Sequence, residues 1–364
     1  MTPTYGSGGE EDHGERVLAH VGVGTRLSLM SDRRLADVVA GARGLGGGIG
    51  GRTAELDVDG VRVFVKRVPL TSVEQRPDNV RSTANLFGLP LFYQYGIGSA
   101  GFGAWRELAA HLMTTGWVLS GQYPGFPLLH HWRVLPDDAP TGFADAFGGV
   151  DGAVAHWDGS AAVRHRLEEI GRSSAALVLF LEHVPHTLGE LLAEDADGDR
   201  HRWAEEELRR GTEFMSARGL VHFDAHFANV LTDGRRIYFA DLGLALSRDF
   251  ELSRQERDFL TAHLLYDRSY APSHLLRHHL PAGLGSATDP GALLRAWADG
   301  RRPAAVPCAI ATLLDRHAAH ATVLDDFFRR LFEESKLTPF PADALRRAMA
   351  DGAGQGRREP VADG

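Results

Sequence analysis

In its second half, the chain reads Gly219-Leu220-Val221-His222-Phe223-Asp224-Ala225-His226-Phe227-Ala228-Asn229-Val230-Leu231 and, soon after, Phe239-Ala240-Asp241-Leu242-Gly243. This order gives a carboxylate (Asp224), a carboxamide five residues later (Asn229) and a second carboxylate (Asp241). The apolar residues on each side of Thr232-Asp233-Gly234-Arg235 predict two short strands joined by a tight turn. Such a turn would bring the two carboxylates toward each other.

Two carboxylates and an amide in this order suit the transfer of a phosphoryl group. We expect Asp224 to orient or deprotonate an acceptor hydroxyl, and Asn229 and Asp241 to bind Mg²⁺ on the phosphates of ATP. His222 is expected to brace the loop rather than to react. The plainer alternative is a turn rich in Asp and His at the mouth of a helical domain, but the Asp-Leu-Gly downstream favours the catalytic interpretation.

A glycine run precedes two predicted strands in the first half of the chain. Residues 44–51 contain a GxGxxG pattern at Gly46, Gly48 and Gly51, and strands at 52–58 and 61–68 follow, joined by Asp59-Gly60. A glycine run that leads into a hairpin rather than a helix argues against a dinucleotide-binding site. It favours close backbone contact with phosphates, with a flexible linker as the alternative.

The second of these strands carries Val63-Phe64-Val65-Lys66. A lone strand lysine is usually solvated, but the place of Lys66 fifteen residues after Gly51 predicts that it binds phosphates. Such a lysine needs an anionic partner. We expect this to be Glu107, near the start of a helix predicted at 105–113, although an exposed helix carboxylate is the alternative.

These motifs resemble those of the protein-kinase-like superfamily, and are more similar to its aminoglycoside phosphotransferase and choline kinase branch than to ordinary protein kinases. His226 stands where serine/threonine kinases usually have a lysine, and no Ala-Pro-Glu follows Asp241-Leu242-Gly243. A predicted capping box, Ser253-Arg254-Gln255-Glu256, begins a helix almost at once. A phosphorylatable activation loop therefore has little room.

The resemblance implies an α+β, bilobal fold that binds ATP and Mg²⁺ and acts on the hydroxyl of a small molecule. The N-lobe, with a small antiparallel sheet and one main helix, would cover 16–183 with insertions at 69–103 and 136–162, and a helical C-lobe would cover 184–350. Backbone groups near Glu182 and Val184 would contact adenine, and Asp258 would hold the catalytic loop. The alternatives are a serine/threonine protein or peptide kinase and a pseudokinase that binds nucleotide without turnover.

Other expectations concern elements outside these motifs. Residues 29–42 predict an opening helix, and 87–95 predict an additional strand. Helices are predicted at 187–194, 200–217, 291–298, 304–320 and 323–332. The last three would form either an acceptor pocket or a packing scaffold.

Composition and charge argue against some binding partners and against disulfides. The formal net charge of -9 gives no basic field for nucleic acid or an acidic membrane surface. The one cysteine, Cys308, excludes an intrachain disulfide and is expected to be buried beside Pro307. The pairs His274/His278 and His317/His320 lack a third ligand at a recognisable spacing and are expected to be structural. We expect a cytoplasmic enzyme with disordered tails at 1–15 and 351–364.

Overall fold

The structure, a computed structural model, describes residues 7–96, 98–194, 198–280, 290–302 and 306–355. It is an α+β protein that divides into two compact units. The first unit comprises Met1–Val184, Asp241–Ala245 and Phe250–Ser253, and the second comprises Pro185–Ala240, Leu246–Asp249 and Arg254–Gly364. The return of 241–245 and 250–253 to the first unit was not predicted.

The first unit contains five α-helices and a five-stranded antiparallel sheet among its described residues. The helices are α1 (Ser7–Ser28), α2 (Asp32–Ala40), α3 (Ala104–Leu119), α4 (Val150–His156) and α5 (Ala161–Gly171). The strands are β1 (Arg43–Gly48), β2 (Gly51–Val58), β3 (Val61–Leu70), β4 (Leu129–Pro136) and β5 (Ala175–Glu182), in the spatial order β1-β2-β3-β5-β4. The predicted turn at Asp59-Gly60 joins β2 to β3.

Each face of this sheet is covered by helices, because alternate residues of β3 point to opposite sides. Val63 and Val65 pack with Val23 of α1 and Leu35 of α2. Val68 and Leu70 belong to a second core cluster with Ala104, Trp105 and Leu108 of α3. Burial of both faces therefore fixes β3 and α3 relative to each other.

Several predictions for the first unit were wrong. A helix, α1, runs from Ser7 through much of the segment expected to be a disordered tail. The opening helix expected at 29–42 is only α2, because Ser31 caps a new helix after α1 has ended. Residues 87–95 form no strand: a 3₁₀ helix spans Leu91–Gln94, and Tyr93 packs into an aromatic cluster with Trp157. The expected loop at 136–162 contains α4.

The second unit is mainly helical. Its helices are α6 (Leu188–Ala193), α7 (Asp199–Arg218), α8 (Arg254–His263), α9 (Tyr266–His278), α10 (Pro290–Ala298), α11 (Cys308–Glu333) and α12 (Ala342–Gln355). Its short strands are β6 (His186–Thr187), β7 (Leu220–Val221), β8 (Val230–Thr232), β9 (Ile237–Phe239) and β10 (Leu246–Ser247). β8 and β9 form the predicted hairpin. Gly219 ends α7 in the left-handed conformation, as its position after Arg218 predicted.

Three expectations for the second unit need correction. The two helices predicted at 304–320 and 323–332 are one helix, α11, because its apolar stripe continues through Ala321 and Leu324. Cys308 is exposed, since it occupies the first position of α11, ahead of the buried stripe that begins at Ile310. The predicted C-terminal tail overlaps the end of α12 at 351–355, and its remainder lies outside the described residues. Among the described helices, none combines the length and apolarity needed to cross a membrane.

Candidate functional site

Three charged side chains of the first unit form what we call the ion-pair cluster. The ammonium Nζ of Lys66 lies 2.7 Å from Glu107 Oε1 and 2.8 Å from Asp241 Oδ1. The side chains of Lys66 and Glu107 are 5% and 4% exposed, whereas that of Asp241 is 41% exposed. The predicted pair of Lys66 and Glu107 is thus present, and it is joined to a carboxylate that solvent reaches.

Regular secondary structure holds two members of the ion-pair cluster. Lys66 lies in the middle of β3, where it is paired with Thr53 of β2 and Leu179 of β5. Glu107 lies in the first turn of α3, and the neighbouring Leu108 packs on the sheet. An acidic side chain is favoured there by the partial positive charge of the helix N-terminus. Strand pairing and helix packing therefore bring the two charges together.

Asp241 is held by an unusual backbone. Its φ is +55°, in the left-handed region that non-glycine residues seldom adopt, and its carboxylate accepts a hydrogen bond from Gly243 N at 3.3 Å. A Cβ at Gly243 would lie 3.2 Å from Asp241 Oδ1 and 3.3 Å from Glu107 Oε2. A side chain at this position would therefore crowd both carboxylates, and the glycine of Asp-Leu-Gly avoids this.

Burial and charge oppose each other in the ion-pair cluster. Burial alone would lower the pKa of Lys66, but the charges of Asp241 and Glu107 outweigh it and hold the pKa above its usual value. Burial raises the pKa of Glu107 to about 6, against the opposing charge of Lys66. At neutral pH the cluster then carries one positive and two negative charges. A divalent cation would compensate the excess negative charge, and Lys66 could contact an anion.

The glycine run forms β1 and the turn that approaches Lys66. A Cβ added at Gly50 would lie 3.9 Å from Lys66 Nζ. Gly51 has φ +122°, and a Cβ there would lie 2.4 Å from a backbone oxygen of β3, so strand packing requires this glycine. Gly46 has φ +149° near a shift in the register of β1 and β2, and Gly48 has no close neighbour. Of the glycines in the run, the one that approaches the ammonium is therefore Gly50, which the GxGxxG pattern did not select.

The residues expected to border adenine lie at the end of β5 and just beyond it. The N–H of Glu182 donates to Leu128 O at 2.8 Å. The Glu182 carboxylate accepts two hydrogen bonds from Arg16 of α1, at 2.8 and 2.7 Å. Glu182 is thus engaged within the first unit, whereas Val184 lies half-buried just beyond the strand.

Asp224 and Asn229 lie in one loop of the second unit, between β7 and β8, which we call the Asp224 loop. Asn229 Nδ2 donates to Asp224 O and to Asp224 Oδ2, each at 3.0 Å. Because the amide nitrogen faces Asp224, the amide oxygen is the atom suited to a hard cation such as Mg²⁺. His222 is buried, its Nε2 lies 2.9 Å from Ala240 O, and its Nδ1 accepts from Asp224 N at 3.3 Å. These contacts fit the bracing role expected of His222.

A buried carboxylate that sequence reasoning missed holds the Asp224 loop. Asp267 of α9 accepts hydrogen bonds from His222 N at 2.6 Å and Phe223 N at 3.1 Å. Phe223 has φ +65°, a strained conformation for a bulky residue, and the two bonds to one carboxylate offset that strain. Burial raises the pKa of Asp267 to about 7, and the two backbone hydrogen bonds oppose this rise.

The loop-holding role was predicted for Asp258, and that prediction was wrong. The side chain of Asp258 is 76% exposed and lies 4.0 Å from Arg254 on the surface of α8. Spacing from the Asp-Leu-Gly motif pointed to an acid in α8, but the carboxylate that binds the Asp224 loop belongs to the next helix, α9. A usable signal was the place of Asp267 beside Tyr266, at the start of a helix whose neighbouring positions are buried.

Histidines gather beside the Asp224 loop in the second unit. The ring of His274 lies 6.4 Å from that of His226, 4.7 Å from that of His278 and 5.2 Å from that of His279. Burial, with the neighbouring histidines, lowers the pKa of His274 to about 3. Within the described ranges, no group of three or more His, Cys, Asp or Glu side chains has an arrangement that could hold a metal ion. The ring of His274 is therefore neutral at neutral pH.

Comparison with known proteins gives no family for this chain. No protein-family model matches the sequence. A search of curated proteins finds no significant match.

Proposed function

We propose that the chain is an ATP- and Mg²⁺-dependent phosphotransferase that transfers the γ-phosphoryl group to an alcohol hydroxyl, most simply that of a small molecule. In this proposal the two units correspond to the lobes of a bilobal, protein-kinase-like fold. The ion-pair cluster of the first unit would bind phosphates, and the Asp224 loop of the second unit would supply the residues that act on the acceptor hydroxyl. The observation that carries the proposal is the buried ion pair of Lys66 and Glu107, in contact with Asp241.

The choice of lysine at position 66 supports this proposal. The chain has two lysines, Lys66 and Lys336, among 39 basic residues, so it uses arginine for nearly every other cation. An ammonium is a compact point charge with three donors, and lysine is a regular ligand of nucleotide phosphates. Its Nζ lies under the Gly50 turn, whose backbone a phosphate could approach without a Cβ in the way.

The side chains fit the chemistry of ATP and Mg²⁺. Asp241 and Asn229 offer carboxylate and amide oxygens, the donors that Mg²⁺ prefers, and ATP would supply the phosphoryl group. Lys66 would donate to phosphate oxygens while Glu107 keeps its ammonium in place. Asp224 would accept a hydrogen bond from the acceptor hydroxyl and so orient its oxygen. Catalysis would come from alignment and compensation of charge.

A small acceptor is favoured over a protein because the segment after Asp-Leu-Gly is short. A 3₁₀ turn spans Leu242–Leu244, β10 follows, and α8 begins at Arg254. In protein kinases this part of the chain is the activation loop, which is ordered by phosphorylation. Residues 244–253 leave little room for such a loop.

The test is a transfer assay with γ-labelled ATP against two acceptor mixtures, one of hydroxylated small molecules and one of peptides containing Ser and Thr. Asp241→Asn and Asp224→Asn should each lower transfer by about 10²-fold or more. Asp258→Asn is the matched control, since this acid is exposed on α8.

Each outcome of the assay assigns the protein to one class. Label in the small-molecule fraction supports the proposal, and label only in peptides replaces it with a protein kinase. Stabilisation by ATP and Mg²⁺ in a thermal shift assay, without transfer or hydrolysis, would indicate a pseudokinase. Full transfer by Asp241→Asn would contradict the metal assignment.

A further inference from the structure

We propose that Glu74 is a positioning residue whose carboxylate fixes the first turn of α3 and thereby holds Glu107 against Lys66. Glu74 lies between β3 and α3, in the segment 71–103, for which no function was predicted. Its effect on catalysis rests on the proposed function. Its effect on the ion pair does not, because every residue involved belongs to the first unit.

The carboxylate of Glu74 is fully buried and accepts four hydrogen bonds. Its Oε1 accepts from Ala104 N at 2.6 Å. Its Oε2 accepts from Thr71 N at 3.0 Å, from Thr71 Oγ1 at 2.6 Å and from Arg166 Nη1 at 2.8 Å. Oε2 therefore has three donors and Oε1 has one, and the carboxylate cannot shift without leaving a buried donor unpaired.

One of these hydrogen bonds caps α3. Ala104 is the first residue of the helix, and Gly103, at the N-cap position, has no side chain that could cap it. Glu74 supplies the missing cap from a distant part of the chain, and its charge also suits the helix N-terminus. Gly103 has φ +151°, and a Cβ there would lie 3.1 Å from Glu74 Oε1, so this glycine makes room for the cap. Glu107 lies in the same turn of helix.

The charge of Glu74 is balanced by Arg166 of α5. Arg166 is 1% exposed, and its guanidinium lies 4.9 Å from the ring centroid of Phe87. Because a buried charge without its partner is strongly unfavourable, the pair keeps α5 and the cap together. Trp105 Nε1 donates to Glu74 O at 2.9 Å and adds a second link from the same turn of α3.

The segment 71–103 also contacts the loop that follows Asp241. Gln94 Nε2 donates to Leu244 O. A Cβ at Gly101 would lie 2.6 Å from Gly243 O, so the two backbones are in close contact. One segment thus supports both Glu107, through α3, and Asp241, through its loop.

The experiment measures the reactivity of the Lys66 amine toward an amine-acylating reagent at mildly alkaline pH, by peptide mass spectrometry. Lys336, in the second unit, is an internal control for unfolding because it is also buried. Glu74→Gln should raise the acylation rate of Lys66 relative to Lys336, by about tenfold for each unit by which its pKa falls. Glu107→Gln is the positive reference, since it weakens the same pair directly.

A second variant tests whether the effect on Lys66 comes only from a buried charge left without its partner. Glu74→Leu/Arg166→Met removes both buried charges together with the acceptor that caps α3, so it should also show faster acylation of Lys66. Glu205→Gln is the matched control, because Glu205 is a buried carboxylate of the second unit paired with Arg316. It should lose stability and leave the ratio of Lys66 to Lys336 unchanged.

Unchanged acylation of Lys66 in a folded Glu74 variant would overturn the proposal, as would an equal change in Glu205→Gln. If the wild-type protein binds and turns over no ATP, the proposed function fails while the acylation result still decides the role of Glu74. If ATP is turned over, the Glu74 variants should raise KM for ATP and lower kcat.

Discussion

Replacing Glu107 by glutamine would show separately what this carboxylate contributes to the free energy of unfolding and to turnover of ATP. The substitution keeps the shape of the side chain and removes its charge. Burial raises the pKa of Glu107 from 4.5 to about 6, so the folded protein binds this proton more tightly than the unfolded chain does. The free energy of unfolding of the wild-type protein therefore falls as pH rises from about 4.5 to about 6. The fall is about 2 kcal/mol, because the two pKa values differ by about 1.5.

Glu107→Gln should lack this pH dependence. At acid pH, where Glu107 is protonated and resembles glutamine, the unfolding free energies of wild-type protein and variant should be similar, and between pH of about 4.5 and about 6.5 the wild type should lose about 2 kcal/mol relative to the variant. Near neutral pH the variant should therefore be the more stable of the two, and Lys66 keeps Asp241 as a partner. Turnover should nevertheless fall by about 10²-fold, the loss expected when a reacting group is misplaced by about 1 Å.

Urea unfolding across this pH range, together with ATP turnover, measures both effects. Glu205→Gln serves as a control of opposite sign. Burial would raise the pKa of Glu205, but His317 and Arg316 outweigh burial and lower it, so the wild-type protein gains stability from Glu205 as pH rises. An unchanged pH slope in Glu107→Gln would show that another group carries the titration. Turnover within about twofold of wild type would refute the positioning of Lys66 by Glu107.

Three further predictions concern single positions. Asp267→Asn should destabilise the protein, because one of the two backbone N–H groups now bound by the carboxylate would face the NH₂ group of the asparagine. Urea titrations of the wild type should show a loss of stability between pH of about 4 and about 7, and the variant should lack it. Asp258→Asn should show neither effect. Gly51→Ala should destabilise by more than about 1 kcal/mol through strain and the clash with β3, whereas thermal unfolding of Gly48→Ala should match the wild type. Asp241→Asn should abolish any stabilisation by Mg²⁺ in the presence of ATP, and an unchanged thermal shift would count against its role as a ligand.

Local patterns in the sequence were sufficient for several elements. The Asp59-Gly60 hairpin, the β8–β9 hairpin and the end of α7 at Gly219 each depend on turn or cap chemistry among neighbouring residues. The pairing of Lys66 with Glu107 was also predicted, because the order of motifs along the chain implies which charges must meet. The roles of these residues in catalysis remain a proposal.

The failures occurred where distant packing outweighed local pattern. Residues 87–95 have the composition of a strand, but Tyr93 lies against Trp157 and the segment takes a 3₁₀ turn instead. Asp258 has the spacing expected of a loop-holding acid, yet its helix presents it to solvent. Whether a residue is buried or exposed depends on which elements pack against it, and its distance from a motif along the chain does not show this.

The sequence by itself determined which side chains have the chemistry that phosphoryl transfer needs: one lysine, three carboxylates and an amide in a fixed order. Only the tertiary structure decided what supports them. Glu74 caps α3 from thirty residues away, and Asp267 reaches the backbone of residues 222 and 223 from a later helix. The physical reason is that a buried carboxylate takes its donors from whichever backbone packs against it, and that choice is made by the folded core.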